Sequence, residues 1–362
     1  MLTAIVIPCL NERDLIPATA ASLGFGEGPP PKDTILVLVD NGSKDGTLAV
    51  LKEIQQRAGV GLVFVGEESN RGYVPPRAKG NEIATMVADA RNIKPDRLLI
   101  LQADADTRYS DHYVRAFQTA ASNEKRSAMF EGTTAVPHRF LDGHPGFQRL
   151  ADRVDADMAR YLVGEDLDVI VDDKVAGYTL SSYQQWGGFR RDYSADGNEI
   201  HAETSRLFMR AKGRGAVRVR IPDAEATPSR RKILRNPIRH FATAGFPRDE
   251  TWWRRWSNAY DGPRDLAAFE GGGAFGILKS VIKAREAHLL GLFSLLPLLV
   301  EESMGRGNIL EPDNLHPLVR QKLSTNGRSV ARTNISAIFD FVRCAVDEWA
   351  RAKFGIDPPE QL

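Results

Sequence analysis

RLLILQADADT, residues 97–107, begins as an unbroken apolar run and ends in two aspartates, Asp104 and Asp106, separated by one alanine. A short run with no polar alternation reads as a strand covered on both faces. The same texture recurs as TAIVIP at residues 3–8, TILVLVD at 34–40, LVFVG at 62–66 and AMFEGT at 128–133. Between these runs, residues 15–23, 47–57, 78–91 and 112–121 carry apolar side chains at three- and four-residue spacing, which predicts helices. Strands alternating with helices predict an α/β fold with a Rossmann-like, mostly parallel sheet flanked by helices. Such sheets bind ligands beyond the carboxyl ends of their strands.

The strand ends therefore repay a close reading. The first runs into Pro8-Cys9-Leu10-Asn11-Glu12, the second into Asp40-Asn41-Gly42-Ser43, and the fourth into Asp104 and Asp106. Turn and cap chemistry accounts for Ser43 and Asp45. It does not account for Asp40, Asp104 and Asp106 together. Closely spaced carboxylates at a strand end suit Mg²⁺ or Mn²⁺, which accepts one or two protein carboxylates and completes its shell with water and substrate phosphate.

The chain has 362 residues, 42% of them apolar and 26% charged, the balance of an ordinary globular protein. Two cysteines, Cys9 and Cys344, exclude a disulfide framework and point to a reducing compartment. The N-terminus, MLTAIVIPCLNE, enters a strand with no basic leader, so a cytoplasmic location is expected. The longest apolar run, Leu289 to Val300, is too short to span a bilayer and contains a proline; a buried helix is expected there. Net charge is +1, yet Ser205 to Trp256 holds fourteen Lys/Arg against four Asp/Glu. That basic stretch ends in WWRRW at residues 252–256 and is consistent with peripheral contact at an anionic inner membrane face. No nucleic-acid-binding module is recognisable, and no nucleic acid is expected. Past residue 135 the texture changes: a helix is expected from Pro145 to Val163, an exposed strand at VRVRI (217–221), and helices to the end. Gly271 to Gly276 spells a glycine-rich dinucleotide pattern but follows no strand, and it is discounted.

VIPCLNE, VLVDNGSKDGT and ILQADADT, in this order and spacing, resemble the family 2 glycosyltransferases of the GT-A fold over roughly residues 3–215. The resemblance implies an inverting transfer of sugar from a nucleotide-diphosphate donor, a UDP-sugar being favoured, to an acceptor hydroxyl. It implies a glycosyltransferase domain over 1–227, with a nucleotide-binding half (1–110) and an acceptor half (111–227), followed by a helical extension over 228–362. Pro8, Glu12 and Asp40 are expected at the nucleotide, and Asp104 and Asp106 at a Mg²⁺ or Mn²⁺ ion, with Asp104 also touching the donor. NRGYVPPRAKGN (70–81) resembles the segment that places Arg77 and Lys79 beside the diphosphate.

Gly187, Gly188 and Phe189 match the family's GGF turn on the acceptor side, and Arg255 and Trp256 match part of a tail motif beside the acceptor. ETSRLFMR (203–210) departs from the family's E-D-x-D-L-x-x-R, since the position of the usual catalytic aspartate holds Thr204. Glu203 is then the first expectation for the catalytic base, with Glu199 and Asp196 after it. The basic, Trp-rich tail suits a sugar, lipid-linked or polysaccharide acceptor, as in cell-envelope polysaccharide or glycolipid synthesis. Two other functions suit parts of the pattern: a sugar nucleotidyltransferase, against which the absence of a glycine-rich phosphate loop counts, and a non-catalytic sugar-nucleotide binding module.

Overall fold

The computed structural model describes residues 1–26, 28–135, 143–194, 197–243, 266, 275–306 and 315–354. The chain forms two compact units: Met1–Val136 with Val171–Ser229, and Pro137–Ile170 with Arg230–Leu362.

The first unit carries the sheet. Its strands are β1 (Leu2–Cys9), β2 (Thr34–Asp40), β3 (Val63–Glu67), β4 (Leu98–Gln102), β5 (Thr107–Tyr109), β6 (Ala128–Thr134), β7 (Ala176–Thr179) and β8 (Val217–Pro228), in the order β3-β2-β1-β4-β7-β6-β8-β5. β3, β2, β1 and β4 are parallel. β7 runs antiparallel to β4 and β6, β8 is parallel to β6, and β5 is antiparallel to β8. The expected α/β class with a mostly parallel sheet is what the unit adopts. Helices α1 (Ile16–Ser22), α2 (Thr47–Ala58), α3 (Val74–Ala90) and α4 (Tyr113–Asn123) connect the early strands.

The apolar runs fold as strands because both of their faces are covered. Ile5, Ile7, Leu36, Leu38, Leu99 and Leu101 pack on one side with Ile16, Leu51 and Phe117. Ala4, Val6, Val37, Val39 and Ile100 pack on the other with Ala84 and Ala88 of α3. Alternate residues of one strand thus enter two different cores, which is the period of two that pleating imposes.

Two local expectations are corrected. α3 begins at Val74, not near residue 78, because Pro75 and Pro76 occupy its first turn, where a missing N–H costs nothing. VRVRI does form a strand, the start of β8 paired to β6, but it is half-buried rather than exposed: Arg220 is exposed, Ile221 is buried, and Arg218 donates to Glu131 on β6 at 2.6 Å.

In the second unit, α5 (Pro145–Ala159) precedes the first unit's α6 (Leu180–Gln185) and α7 (Glu203–Lys212) in chain order. The rest is helical: α8 (Arg231–Arg235), α9 (Pro237–Ala242), α10 (Phe275–Leu290), α11 (Leu296–Ser303), α12 (Pro317–Lys322), α13 (Arg328–Ala331) and α14 (Ile335–Phe354). Arg285 of α10 holds Asp155 of α5 through two hydrogen bonds of 2.7 Å. The apolar run from Leu289 is broken by a π-helical turn, Gly291–Leu295, and its leucines are buried. Among the described residues, no helix is long and apolar enough to cross a membrane.

The close approach of α3 to β1 sets where the later site residues fall. A Cβ on Gly80 would lie 2.2 Å from Val6 Cγ1 and 3.4 Å from Val39 Cγ2, so only glycine lets the helix sit this low. Gly80→Ala gains about 1 kcal/mol of helix propensity but overpacks the core at a cost of about 1–3 kcal/mol. A lowered urea midpoint is expected for this variant; a raised midpoint would show that α3 is not so closely seated.

Candidate functional site

The carboxyl edge of β1, β2 and β4 gathers the residues singled out from the sequence. Beyond β4, Ala103 and Ala105 are buried while Asp104 and Asp106 are half-buried. The turn is pinned from several sides. Thr19 donates to the carbonyl of Ala105 (2.8 Å) and the N–H of Ser229 to that of Asp106 (2.8 Å). The N–H of Asp104 donates to the Tyr109 hydroxyl (2.9 Å), which donates to the carbonyl of Lys174 (3.0 Å).

Arg77, in the first turns of α3, ties this edge together. Its Nε donates to Glu203 Oε1 (2.9 Å), Nη1 to Gln102 Oε1 (3.1 Å), and Nη2 to both Asp104 Oδ1 (2.8 Å) and Asp173 Oδ2 (2.9 Å). Four of its five N–H groups are therefore engaged. Gln102 is fixed in turn by Asn81 (3.0 Å) and the Tyr178 hydroxyl (2.8 Å). Burial works against the charge on Arg77, but Asp173, Asp104 and Glu203 outweigh it and raise its pKa above the ordinary value. The same burial raises Asp104 and Glu203; repulsion from Asp173 adds to it, and the guanidinium opposes it.

Arg77 was expected at a diphosphate together with Lys79. In the structure Arg77 is the counter-ion of the buried Glu203 and of the partly exposed Asp104 and Asp173, and Lys79 pairs with Glu82 one turn on, at 2.9 Å. Asp173 was not singled out from the sequence. It precedes β7, and because β7 runs antiparallel to β4 its beginning lies at the same edge as the end of β4. An acidic residue before a strand carries no sequence signal until that direction is known.

On the nucleotide side, Asp40 is buried. Its Oδ2 accepts from the N–H groups of Gly42 (3.0 Å) and Ser43 (3.1 Å), whereas its buried Oδ1 has no partner among the described residues. The adjoining loop is fixed by Asn41, which donates to the carbonyls of Glu68 (2.9 Å) and Asn70 (2.8 Å). The N–H of Glu12 donates to Thr47 (2.9 Å), and Pro8 lies in β1 opposite Val39.

On the other side, Gly187 (φ 83°) and Gly188 (φ 63°) make the turn after α6 in a conformation that L side chains resist. The N–H of Phe189 donates to the Tyr183 hydroxyl at 2.9 Å. Glu203 and Thr204 open α7 and are both buried. Glu199 pairs with Arg191 (3.2 Å) through Oε2, and its buried Oε1 has no partner among the described residues. A Cβ on Gly72 would lie 2.3 Å from that Oε2. Asp196, Arg255 and Trp256 lie outside the described residues.

Residues 4–145 match the model of glycosyl transferase family 2. The chain carries a family 2 glycosyltransferase domain. Solved structures similar to this glycosyltransferase include TarS 1–349 of S. aureus, with 13% identity over 98% of this chain and 92% of that one at a TM-score of 0.47. The mannosyltransferase PcManGT from Pyrobaculum calidifontis, in complex with GDP-Man and Mn²⁺, shares 15% identity over 97% and 86% of the two chains at a TM-score of 0.44. GalNAc-T7 with UDP, GalNAc and Mn²⁺ shares 13% over 76% and 57% at a TM-score of 0.43. No curated protein matches the chain significantly.

In this glycosyltransferase, removing the Arg77 guanidinium strands Glu203, which is 4% exposed, and Asp104 without their counter-charge. Arg77→Met is expected to cost about 3–5 kcal/mol of stability, the usual penalty for breaking a buried pair. Adding Glu203→Gln should recover part of that loss, so the double-mutant cycle returns a coupling energy well above additivity. Additive single losses, read by chemical denaturation, would show that the two groups do not interact.

Proposed function

We propose that this glycosyltransferase takes its sugar from a nucleotide diphosphate bound between Asp40 and the Asp104/Asp106 turn, and transfers it with inversion. The observation that carries the reading is the buried Asp40 Oδ1 without a partner among the described residues. A buried acceptor left unmade costs about 1–3 kcal/mol, and an imide N–H such as that of uracil would satisfy it. UDP-sugars are the favoured donors on this ground.

A divalent cation fits the residues present. Asp104 and Asp106 offer hard, half-buried carboxylate oxygens from one turn. Among the described residues no group of three His, Cys, Asp or Glu forms a full cage. That suits Mg²⁺ or Mn²⁺, which completes its shell with substrate phosphate and water. Asp104 and Asp106 would hold the ion, which when bound neutralises charge on the departing diphosphate. Arg77 opposes the rise that burial imposes on the pKa of Asp104 and orients its carboxylate for this purpose.

The proton of the acceptor hydroxyl needs a carboxylate. Glu203 was the first expectation, but its Oε1 is committed to Arg77 in a buried pair. We assign the role to Glu199, whose Oε1 lacks a donor among the described residues. As the acceptor oxygen bonds to the anomeric carbon, its proton passes to Glu199. The bond from that carbon to the diphosphate breaks, and the electron pair leaves with the nucleotide.

Isothermal titration with UDP is expected to show binding that Mn²⁺ tightens. Asp40→Ala should weaken the nucleotide, and Asp106→Ala should abolish the metal effect; unchanged metal dependence in Asp106→Ala would overturn the assignment. For the base, Glu199→Gln should keep UDP affinity while nucleotide release from the UDP-sugar falls by about 10²–10⁴-fold. Full activity of Glu199→Gln with a dead Glu203→Gln would return the role to Glu203.

A further inference from the structure

The turn at Trp186–Arg190 is crowded with positive charge. Arg206 of α7, fully buried, donates to the carbonyls of His201 (3.1 Å), Ile200 (2.8 Å) and Arg190 (3.3 Å), and it pairs with Asp192. Arg210, one turn further along α7, donates to the carbonyls of Gly188 (2.5 Å) and Trp186 (3.4 Å). Arg190 is exposed and lies over Gly187, where a Cβ would meet its Nη2 at 2.6 Å; glycine there is what seats the guanidinium on the turn. Of the nearby carboxylates, Glu203 pairs with Arg77, and Glu199 pairs with Arg191 through Oε2 alone. Asp192 faces Arg206. Burial first, and then repulsion from Arg190 and Arg206, lower the pKa of Arg210 to about 10. Cations packed this closely cost folding energy; Asp192 offsets part of that cost, and a bound anion offsets more.

We propose that this turn reads an anion through Arg190, and that the acceptor of the transferase carries a phosphate or carboxylate group. The inference rests on the nucleotide-sugar reading above and adds the class of acceptor. Arg206 and Arg210 supply fixed positive field from behind the turn, and Arg190 makes the contact. An anionic group seated there orients the acceptor without taking part in the chemistry at its hydroxyl. A small phosphate ester and a lipid phosphate headgroup present the same chemistry to Arg190, and the experiment separates them.

The full chain, with its donor site saturated by UDP, is titrated calorimetrically with glycerol 3-phosphate and with glycerol. In parallel it is mixed with vesicles of phosphatidic acid or of phosphatidylcholine. Glycerol 3-phosphate is expected to bind and glycerol not, with affinity falling as salt rises. Arg190→Gln should weaken the phosphate by at least about tenfold, the loss of one charged hydrogen bond, while Arg190→Lys retains most of the binding. UDP affinity should be the same in all three proteins. Binding confined to phosphatidic acid vesicles and dependent on Arg190 would assign the anion to a lipid. Binding indifferent to Arg190→Gln, or no binding by either anionic probe, overturns the proposal. UDP failing to bind instead sinks the nucleotide reading, and the anion titration, run without UDP, still reports on the turn.

Discussion

One buried guanidinium organises the first unit. Arg77 joins the end of β4 through Gln102 and Asp104, the approach to β7 through Asp173, and the start of α7 through Glu203. Glu203 lies 126 residues away in sequence, so this contact closes a long loop. A buried ion pair of this kind is weak evidence for net stability, because desolvation offsets much of the attraction. Its better-attested value is geometric. A planar fork with four fixed partners holds several carboxylates at defined angles, which lysine at the same position would not do.

The parallel half of the fold was legible because its residues follow one rule each. Continuous Val/Ile/Leu runs mean strands covered twice, and β1, β2 and β4 obey it to within a residue or two. Asp40, Asp104 and Asp106 could be picked out because parallel strands all deliver their ends to one edge. The rule fails where direction changes. β7 enters antiparallel, so Asp173 reaches the edge from the wrong end of a strand, and nothing local marks it. Arg77 was expected beside the donor diphosphate from the family resemblance; its burial among carboxylates is something a sequence does not show. Apolar spacing places the start of α3 near residue 78, whereas the helix begins at Val74 with Pro75 and Pro76 in its first turn, where they cost no hydrogen bond. α5 packs with α10 in the second unit, a long-range pairing that helical periodicity alone cannot reveal.

The first unit buries both satisfied and unsatisfied polar groups, and the unsatisfied ones are not confined to the candidate site: Ser110 Oγ and Tyr113 OH also lack a partner among the described residues. Gln102, Asn81 and Tyr178 are buried, and they hydrogen-bond one another in a closed network that supports Arg77 from below. A network of this kind, fully made, rigidifies its surroundings. Asp40 Oδ1, Glu199 Oε1 and Thr204 Oγ1 are equally buried but have no partner among the described residues. These three lie on the loops and the helix start that face the strand ends, where a ligand with N–H or O–H donors would complete them. Each unmade bond lowers stability by about 1–3 kcal/mol. Thr204 is the sharpest case: valine has nearly the same shape and no hydroxyl to strand. Within the proposed function, we assign the Thr204 hydroxyl to a substrate group, at the position where the family's motif carries an aspartate.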